Sequence, residues 1–92
     1  MEGRQMAIEE NVRQFIVENF MMGANPGKLR DEDSFLENGI IDSTGVLELV
    51  GFIEENFEVS VADEELVPEN LDSISNVAAY ITRKRALASE VA

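Results

Sequence analysis

An aspartate and a serine near the middle of the sequence have the types and the spacing for chemistry at a helix start. Asp42 and Ser43 follow a polar turn, and an apolar pattern of helical period begins directly after them. If Asp42 is the N-cap, Ser43 lies in the first turn, where unpaired backbone N–H groups and the positive end of the helix dipole favour an anion. The position therefore suits a phosphate ester on the serine hydroxyl.

The same pair has an ordinary structural explanation. The dipeptide Asp-Ser occurs at 33–34, 42–43 and 72–73. Because Asp and Ser are favoured cap and turn residues, spacing alone favours a cap or a turn over a modified site at each of these places. The dipeptide is therefore a weak signal until its surroundings are considered.

The composition removes most catalytic functions. The chain of 92 residues has no cysteine and no histidine, so it lacks a thiolate nucleophile, the usual general base and the commonest zinc ligands. A calcium loop over 31–42 is disfavoured, because Leu36 stands where the sharp turn needs glycine and Asp42 stands where the loop needs glutamate. We therefore expect no catalytic residue and no metal site.

The charge balance is strongly acidic. Nineteen acidic residues against 7 basic ones give a net charge of −12, which would repel nucleic acids and anionic membrane surfaces. No apolar run has the length of a signal peptide or the roughly 18 residues of a membrane span. We expect a monomeric cytoplasmic protein with no nucleic-acid partner and no membrane insertion, whose protein partners present basic surfaces.

The spacing of apolar residues predicts four helices and no strand of any length. The predicted helices cover residues 4–22, 43–57, 62–67 and 74–85. Asp72 or Ser73 is expected to cap the last helix. Pro68 and Asn70 are expected to end the short third helix. The tail 86–92 is expected to be frayed.

A long loop over 28–42 joins the first two predicted helices. Loops of that length in compact domains are usually functional or internally packed. The side chains expected to pack this one are Leu29, Phe35, Leu36 and Ile40. Together the elements predict one domain over 1–92, a small all-α four-helix bundle with an ordered core at about 4–85.

One face of the predicted second helix carries residues suited to docking. Leu47 and Gly51 follow Ser43 at i+4 and i+8, beside the core stripe, and Glu48 and Glu55 flank them. Gly51 costs a helix about 1 kcal/mol relative to alanine, so it either lets a partner approach or packs closely within the bundle. A charge run is more often only a solvated surface. We take these four residues as candidate partner contacts.

The run FLENGIIDSTG, residues 35–45, resembles the phosphopantetheine attachment region of acyl and peptidyl carrier proteins. In that region a glycine, apolar residues, an aspartate and the modified serine lead into the second helix. The resemblance is closest to the D-alanyl carrier branch, whose pattern matches all eleven positions without a gap. Fatty-acid-type carriers usually have leucine where Thr44 stands, which argues against a role in fatty-acid synthesis.

The resemblance implies that Ser43 carries 4′-phosphopantetheine, with Asp42 and Thr44 beside the attachment point. The implied partners are a phosphopantetheinyl transferase, an AMP-forming acyl or amino acid ligase and a downstream acyltransferase or synthase. The chain would then be a stand-alone carrier of an acyl or aminoacyl thioester, and not an enzyme. The alternative is an unmodified acidic interaction module in which Ser43 only starts a helix. An enzymatic function is less favoured than either of these, because an isolated serine without a nearby base has no clear route to activation as a nucleophile.

Overall fold

The structure, a computed structural model, describes residues 7–22 and 25–91. In this part the chain forms the helices α1 (Ile8–Phe20), α2 (Ser43–Phe57), α3 (Pro68–Leu71) and α4 (Ile74–Val91), with 3-10 turns at Pro26–Lys28 and Asp63–Glu65. These residues contain no strand. The prediction of an all-α fold with three longer helices, one short helix and a long loop between the first two is confirmed.

The helix α1 is shorter than its predicted range. It begins at Ile8, where Glu9 and Glu10 suit the positive end of the helix dipole. It ends at Phe20, shortly before Met22 adopts a left-handed conformation with φ 55°. The predicted start at 4–6 lies outside the described residues, as do residues 23–24, which follow the predicted end of this helix.

The long helices bury their apolar faces in one core. The buried helical side chains include Val12, Ile16, Leu49, Ile53, Phe57, Ile74, Val77, Ala78 and Ile81. Full burial of a large aliphatic side chain contributes about 1.5–3 kcal/mol, whereas isolated helices of this length are marginal in water. In addition, Phe15 of α1 stacks on Phe52 of α2 with 4.2 Å between ring centroids. Tertiary packing therefore holds α2 in place.

The prediction for the third helix was wrong in position. A 3-10 turn occupies Asp63–Glu65, and the helix α3 follows at Pro68–Leu71. Pro68, which was expected to end the preceding helix, is instead the first residue of α3. Proline suits this position because the first helical residue needs no backbone N–H and its φ matches the fixed φ of proline.

The start of α4 agrees with the prediction, and its end lies further along the chain. Ser73 caps the helix, since its hydroxyl oxygen accepts the N–H of Asn76 at 3.1 Å. The backbone is helical up to Val91. Residues 86–91 belong to this helix, residue 92 lies outside the described part, and fraying of the tail 86–92 stays a prediction.

The loop between α1 and α2 packs partly as predicted. Leu29 and Phe35 are buried and Ile40 is half-buried, but Leu36 is 49% exposed and Ile41 is buried in its place. Bonds to Asp72 hold this turn: the N–H of Phe35 donates to its carbonyl oxygen at 2.7 Å, and the N–H of Leu36 donates to its carboxylate at 2.9 Å. With the turn held in this way, the ring of Phe35 lies in the core and the side chain of Leu36 lines the cleft beside Ser43. The prediction of a buried Leu36 was wrong.

Candidate functional site

The first turn of α2 presents Ser43 to solvent. Asp42 is the N-cap as predicted: its carboxylate accepts the N–H of Gly45 at 2.8 Å, and its carbonyl oxygen accepts the N–H of Val46 at 3.1 Å. Ser43, the first residue of the helix, is exposed. Within 7–22 and 25–91 its hydroxyl makes no hydrogen bond. The hydroxyl is therefore accessible, beside N–H groups and a helix dipole that favour an anion.

Gly45 allows the rest of the protein to pack directly against this turn. It is buried, and a Cβ at this position would lie 2.9 Å from Cε1 of Phe20 and 2.9 Å from Cγ2 of Ile41. The end of α1 and the loop therefore contact the first turn of α2.

An apolar cleft of about 290 Å³ opens beside Ser43. Its walls come from the loop, from α2 and from the segment that leads into α3. The apolar lining residues include Phe35, Leu36, Val46, Leu47, Leu66 and Leu71. Sequence reasoning missed this cleft, because its walls are distant in the sequence and no local pattern brings them together. An apolar group attached near Ser43 would lose contact with water there.

Large apolar side chains remain exposed around the mouth of the cleft. Leu36 is 49% exposed, Leu47 is 63% exposed and Leu66 is 36% exposed. Each comes from a different wall. Ser43 therefore lies within an apolar patch on an otherwise acidic protein, and such patches are typical of interaction sites.

The candidate partner contacts spread from this patch along α2. Leu47 lines the cleft together with Ser43, whereas Thr44 and Glu48 line a shallower depression on another side of Ser43. Glu55 is exposed, as is Gly51, where an added Cβ would meet nothing within 4 Å. Close packing within the bundle therefore does not explain Gly51, and the surface above it is open.

Among the described residues, no group of three or more His, Cys, Asp or Glu side chains is arranged to hold a metal ion. In the same part of the chain, no helix combines the length and the apolar character needed to cross a bilayer.

The fold and the site define a small helical bundle that presents an accessible serine beside an apolar cleft. No model of a known protein family matches the sequence. The acyl carrier protein of Bdellovibrio bacteriovorus is 37% identical over 79 residues, which cover 86% of this chain and 96% of the relative. The acyl carrier protein of Akkermansia muciniphila is 40% identical over 77 residues, which cover 84% of this chain and 91% of the relative.

A solved structure has the same fold. The solution structure of the holo acyl carrier protein from Nitrosomonas europaea superimposes with a TM-score of 0.73 at 24% sequence identity, covering 88% of this chain and 99% of that one. The identity to these two sequence relatives over most of both chains shows that this chain belongs to the acyl carrier protein family. Proteins of this family are non-catalytic carriers, and their prosthetic group is 4′-phosphopantetheine. Membership of the D-alanyl branch and a cytoplasmic location stay predictions.

Proposed function

We propose that this protein carries an acyl group as a thioester on a 4′-phosphopantetheine arm attached to Ser43. The observation that carries the proposal is the exposed hydroxyl of Ser43 at the capped start of α2, next to an apolar cleft. When bound, the arm supplies the thiol that holds the thioester. The protein supplies an accessible hydroxyl and a helix terminus that favours the phosphate. Asp42 fixes that terminus, and Thr44 is the exposed neighbour on the other side.

The lining of the cleft favours an apolar acyl chain as cargo. An aminoacyl group carries an ammonium ion, which would lose hydration in a cleft with mostly apolar walls. The carboxylate that lines the cleft, Asp72, already accepts the hydroxyl of Ser34 and the N–H of Leu36. Acyl cargo also agrees with the names of the relatives. The match of residues 35–45 to the D-alanyl pattern supports aminoacyl cargo as the second candidate. The two candidates are distinguished by the hydrolysis rates of octanoyl and D-alanyl thioesters on the protein, each divided by the rate of the same thioester on free pantetheine, because only a sheltered cargo is slowed relative to its free thioester.

The surface around Ser43 suits partners with basic, partly apolar faces. Leu47 supplies apolar area, and Glu48 and Glu55 are exposed on the same helix. Opposite charges accelerate association and orient the encounter. Gly51 leaves room for a side chain of the partner. The partners we infer are a phosphopantetheinyl transferase, an AMP-forming acyl or amino acid ligase and a downstream acyltransferase or synthase.

The first test is the intact mass after incubation with coenzyme A and a broad-specificity phosphopantetheinyl transferase. We expect the parent protein to gain the mass of one arm. The variant Ser60→Ala, a control at another exposed serine, should gain the same mass. Ser43→Ala should gain nothing and should change the free energy of unfolding by about 1 kcal/mol or less. A parent that gains nothing would favour the unmodified interaction module.

A further inference from the structure

The carboxylate of Glu65 joins the Asp63–Glu65 turn to α4. It accepts the hydroxyl of Tyr80 at 2.8 Å, the ammonium of Lys84 at 3.0 Å and the N–H of Ala62 at 3.0 Å. The backbone bond from Ala62, followed by the donors on Tyr80 and Lys84, lowers the pKa of Glu65 to about 2. Since the Tyr80 side chain is buried in the core, the hydrogen bond to this carboxylate attaches a surface turn to the core.

The residues directly after Glu65 form one wall of the cleft. Leu66, Val67 and Pro68 all line it. The carbonyl oxygen of Glu65 also accepts the side-chain amide of Asn70 at 2.9 Å, which ties the same residue to α3. Glu65 therefore holds the start of this wall, while at the other end the side-chain amide of Asn76 donates to the carbonyl oxygen of Pro68 at 3.2 Å.

Apolar burial does not hold this wall by itself. None of the residues in the Asp63–Glu65 turn is buried, and Leu66 is 36% exposed. A segment with little buried apolar area has a low free energy of local opening unless polar contacts secure it. The hydrogen bonds of Glu65 with Tyr80 and Lys84 are polar contacts that stabilise this segment against local opening.

The serine and the opposite wall are held by other contacts. Asp42 and Gly45 fix the start of α2. On the other side of the cleft, the carboxylate of Asp72 accepts the hydroxyl of Ser34 and the N–H of Leu36. A change at Glu65 therefore moves one wall of the cleft and leaves Ser43 in place.

We propose that Glu65, held by Tyr80 and Lys84, is a positioning residue that fixes the wall 66–68 and thereby sets which acyl chains the cleft shelters. The inference rests on the proposed function, because it takes the cleft as the place of the cargo. It adds a residue that touches neither the arm nor the cargo but determines the shape of the space beside them.

The first experiment uses the protein without its arm. We expect Tyr80→Phe and Glu65→Gln to accelerate amide hydrogen exchange at Leu66 and Val67 by on the order of ten-fold. Amides of Leu49 and Ile53 in the core of α2 exchange through global unfolding, so they should remain slower than Leu66 and Val67 and should accelerate only as far as the measured loss of unfolding free energy requires. Glu64→Gln is the matched control, because Glu64 is exposed in the same turn and its side chain makes no hydrogen bond among the described residues.

The second experiment uses the arm-bearing protein loaded with butyryl, octanoyl or dodecanoyl groups. The parent and Glu64→Gln should hydrolyse the thioester more slowly for the chains that the cleft shelters. In Tyr80→Phe and Glu65→Gln, hydrolysis of the sheltered chains should accelerate several-fold, and the difference between chain lengths should shrink. Attachment of the arm to Ser43 should proceed as in the parent.

Several outcomes would overturn the inference. Unchanged exchange at Leu66 and Val67 would show that Glu65 does not hold the wall. Exchange of Leu66 and Val67 at the same rate as Leu49 and Ile53 would show that the wall opens only when the whole protein unfolds, with no local opening for Glu65 to control. An unchanged dependence on chain length would show that the wall does not select cargo. A parent that takes the arm but shelters no chain overturns this inference alone, whereas a parent that takes no arm also overturns the proposed function.

Discussion

The ring of Phe20 occupies the space that a side chain at Gly45 would need. A Cβ there would lie 2.9 Å from Cε1 of Phe20, and 2.9 Å from Cγ2 of the buried Ile41. The absence of a side chain lets the end of α1 and the loop pack against the turn that presents Ser43. Glycine is present at this position for packing, at the expense of helix propensity.

Comparison of Gly45→Ala with Gly51→Ala tests this relationship. Overpacking costs about 1–3 kcal/mol, which exceeds the gain of about 1 kcal/mol in helix propensity, so Gly45→Ala should lower the free energy of unfolding by roughly 1 kcal/mol. Gly51→Ala enters open space and should raise it by about 0.5–1 kcal/mol. Urea unfolding measures both changes. Equal stabilisation by the two substitutions would mean that Phe20 and Ile41 move aside at little cost.

A second prediction concerns the contact between the loop and the start of α4. The carboxylate of Asp72 accepts the N–H of Leu36 at 2.9 Å and also the hydroxyl of Ser34. Asp72→Ala leaves both donors without this acceptor and should lower the free energy of unfolding by about 1–3 kcal/mol. Ser34→Ala should have a smaller effect, and the double variant should be less destabilised than the sum of the two. An additive pair would show that the two side chains do not interact in solution.

The low pKa of Glu65 predicts a loss of stability in acid. Its ordinary value of 4.5 falls to about 2 in the folded protein, so the unfolded carboxyl binds its proton at a higher pH than the folded one. The contribution is complete above about pH 4.5 and is lost as the pH falls towards 2. Glu65→Gln should therefore unfold at lower denaturant concentration at neutral pH and show a shallower decline in acid. A parallel decline in variant and parent would contradict the assignment to Glu65.

Some of the site follows from local sequence. The cap at Asp42 and the exposure of Ser43 and Leu47 depend on helix-start chemistry and helical period, which neighbouring residues determine. These features were predicted with their residue numbers. The attachment pattern over 35–45 is likewise continuous in the sequence.

Other features depend on contacts between distant segments. Leu36 is a large apolar residue of the type usually found in a core. Its backbone N–H, however, donates to the carboxylate of Asp72, and its side chain lies at the mouth of the cleft. Pro68 is of a residue type that often ends helices, yet it is the first residue of α3. The bond between Glu65 and Tyr80 crosses fifteen positions of the chain. No pattern in the sequence specifies which of several acidic residues makes that bond.

Leu47 offers a direct test of the surface around Ser43. Because its side chain is 63% exposed, Leu47→Ala should change the free energy of unfolding by less than about 0.5 kcal/mol. If partners contact it, the kcat/KM of the phosphopantetheinyl transferase should fall several-fold. Leu87→Ala is the control, since Leu87 is 58% exposed on α4 and does not line the cleft. Equal rates for the two variants would remove Leu47 from the partner surface.

The last prediction concerns the net charge of −12. Among the described residues, ion pairs engage Glu10, Asp31, Asp33 and Glu65. Glu48, Glu54 and Glu55 are exposed on α2 and make no ion pair with that part of the chain. Their mutual repulsion is not compensated locally, and it is strongest at low ionic strength.

Added salt should therefore raise the melting temperature. A gain of about 1 kcal/mol corresponds to roughly 4–8 °C in a domain of this size. Glu55→Gln should raise the melting temperature at low salt and reduce the salt dependence, because it removes one of the repelling charges. Thermal unfolding across a series of sodium chloride concentrations measures both effects. A melting temperature independent of salt in the parent would mean that the acidic face of α2 is compensated by charges elsewhere on the protein.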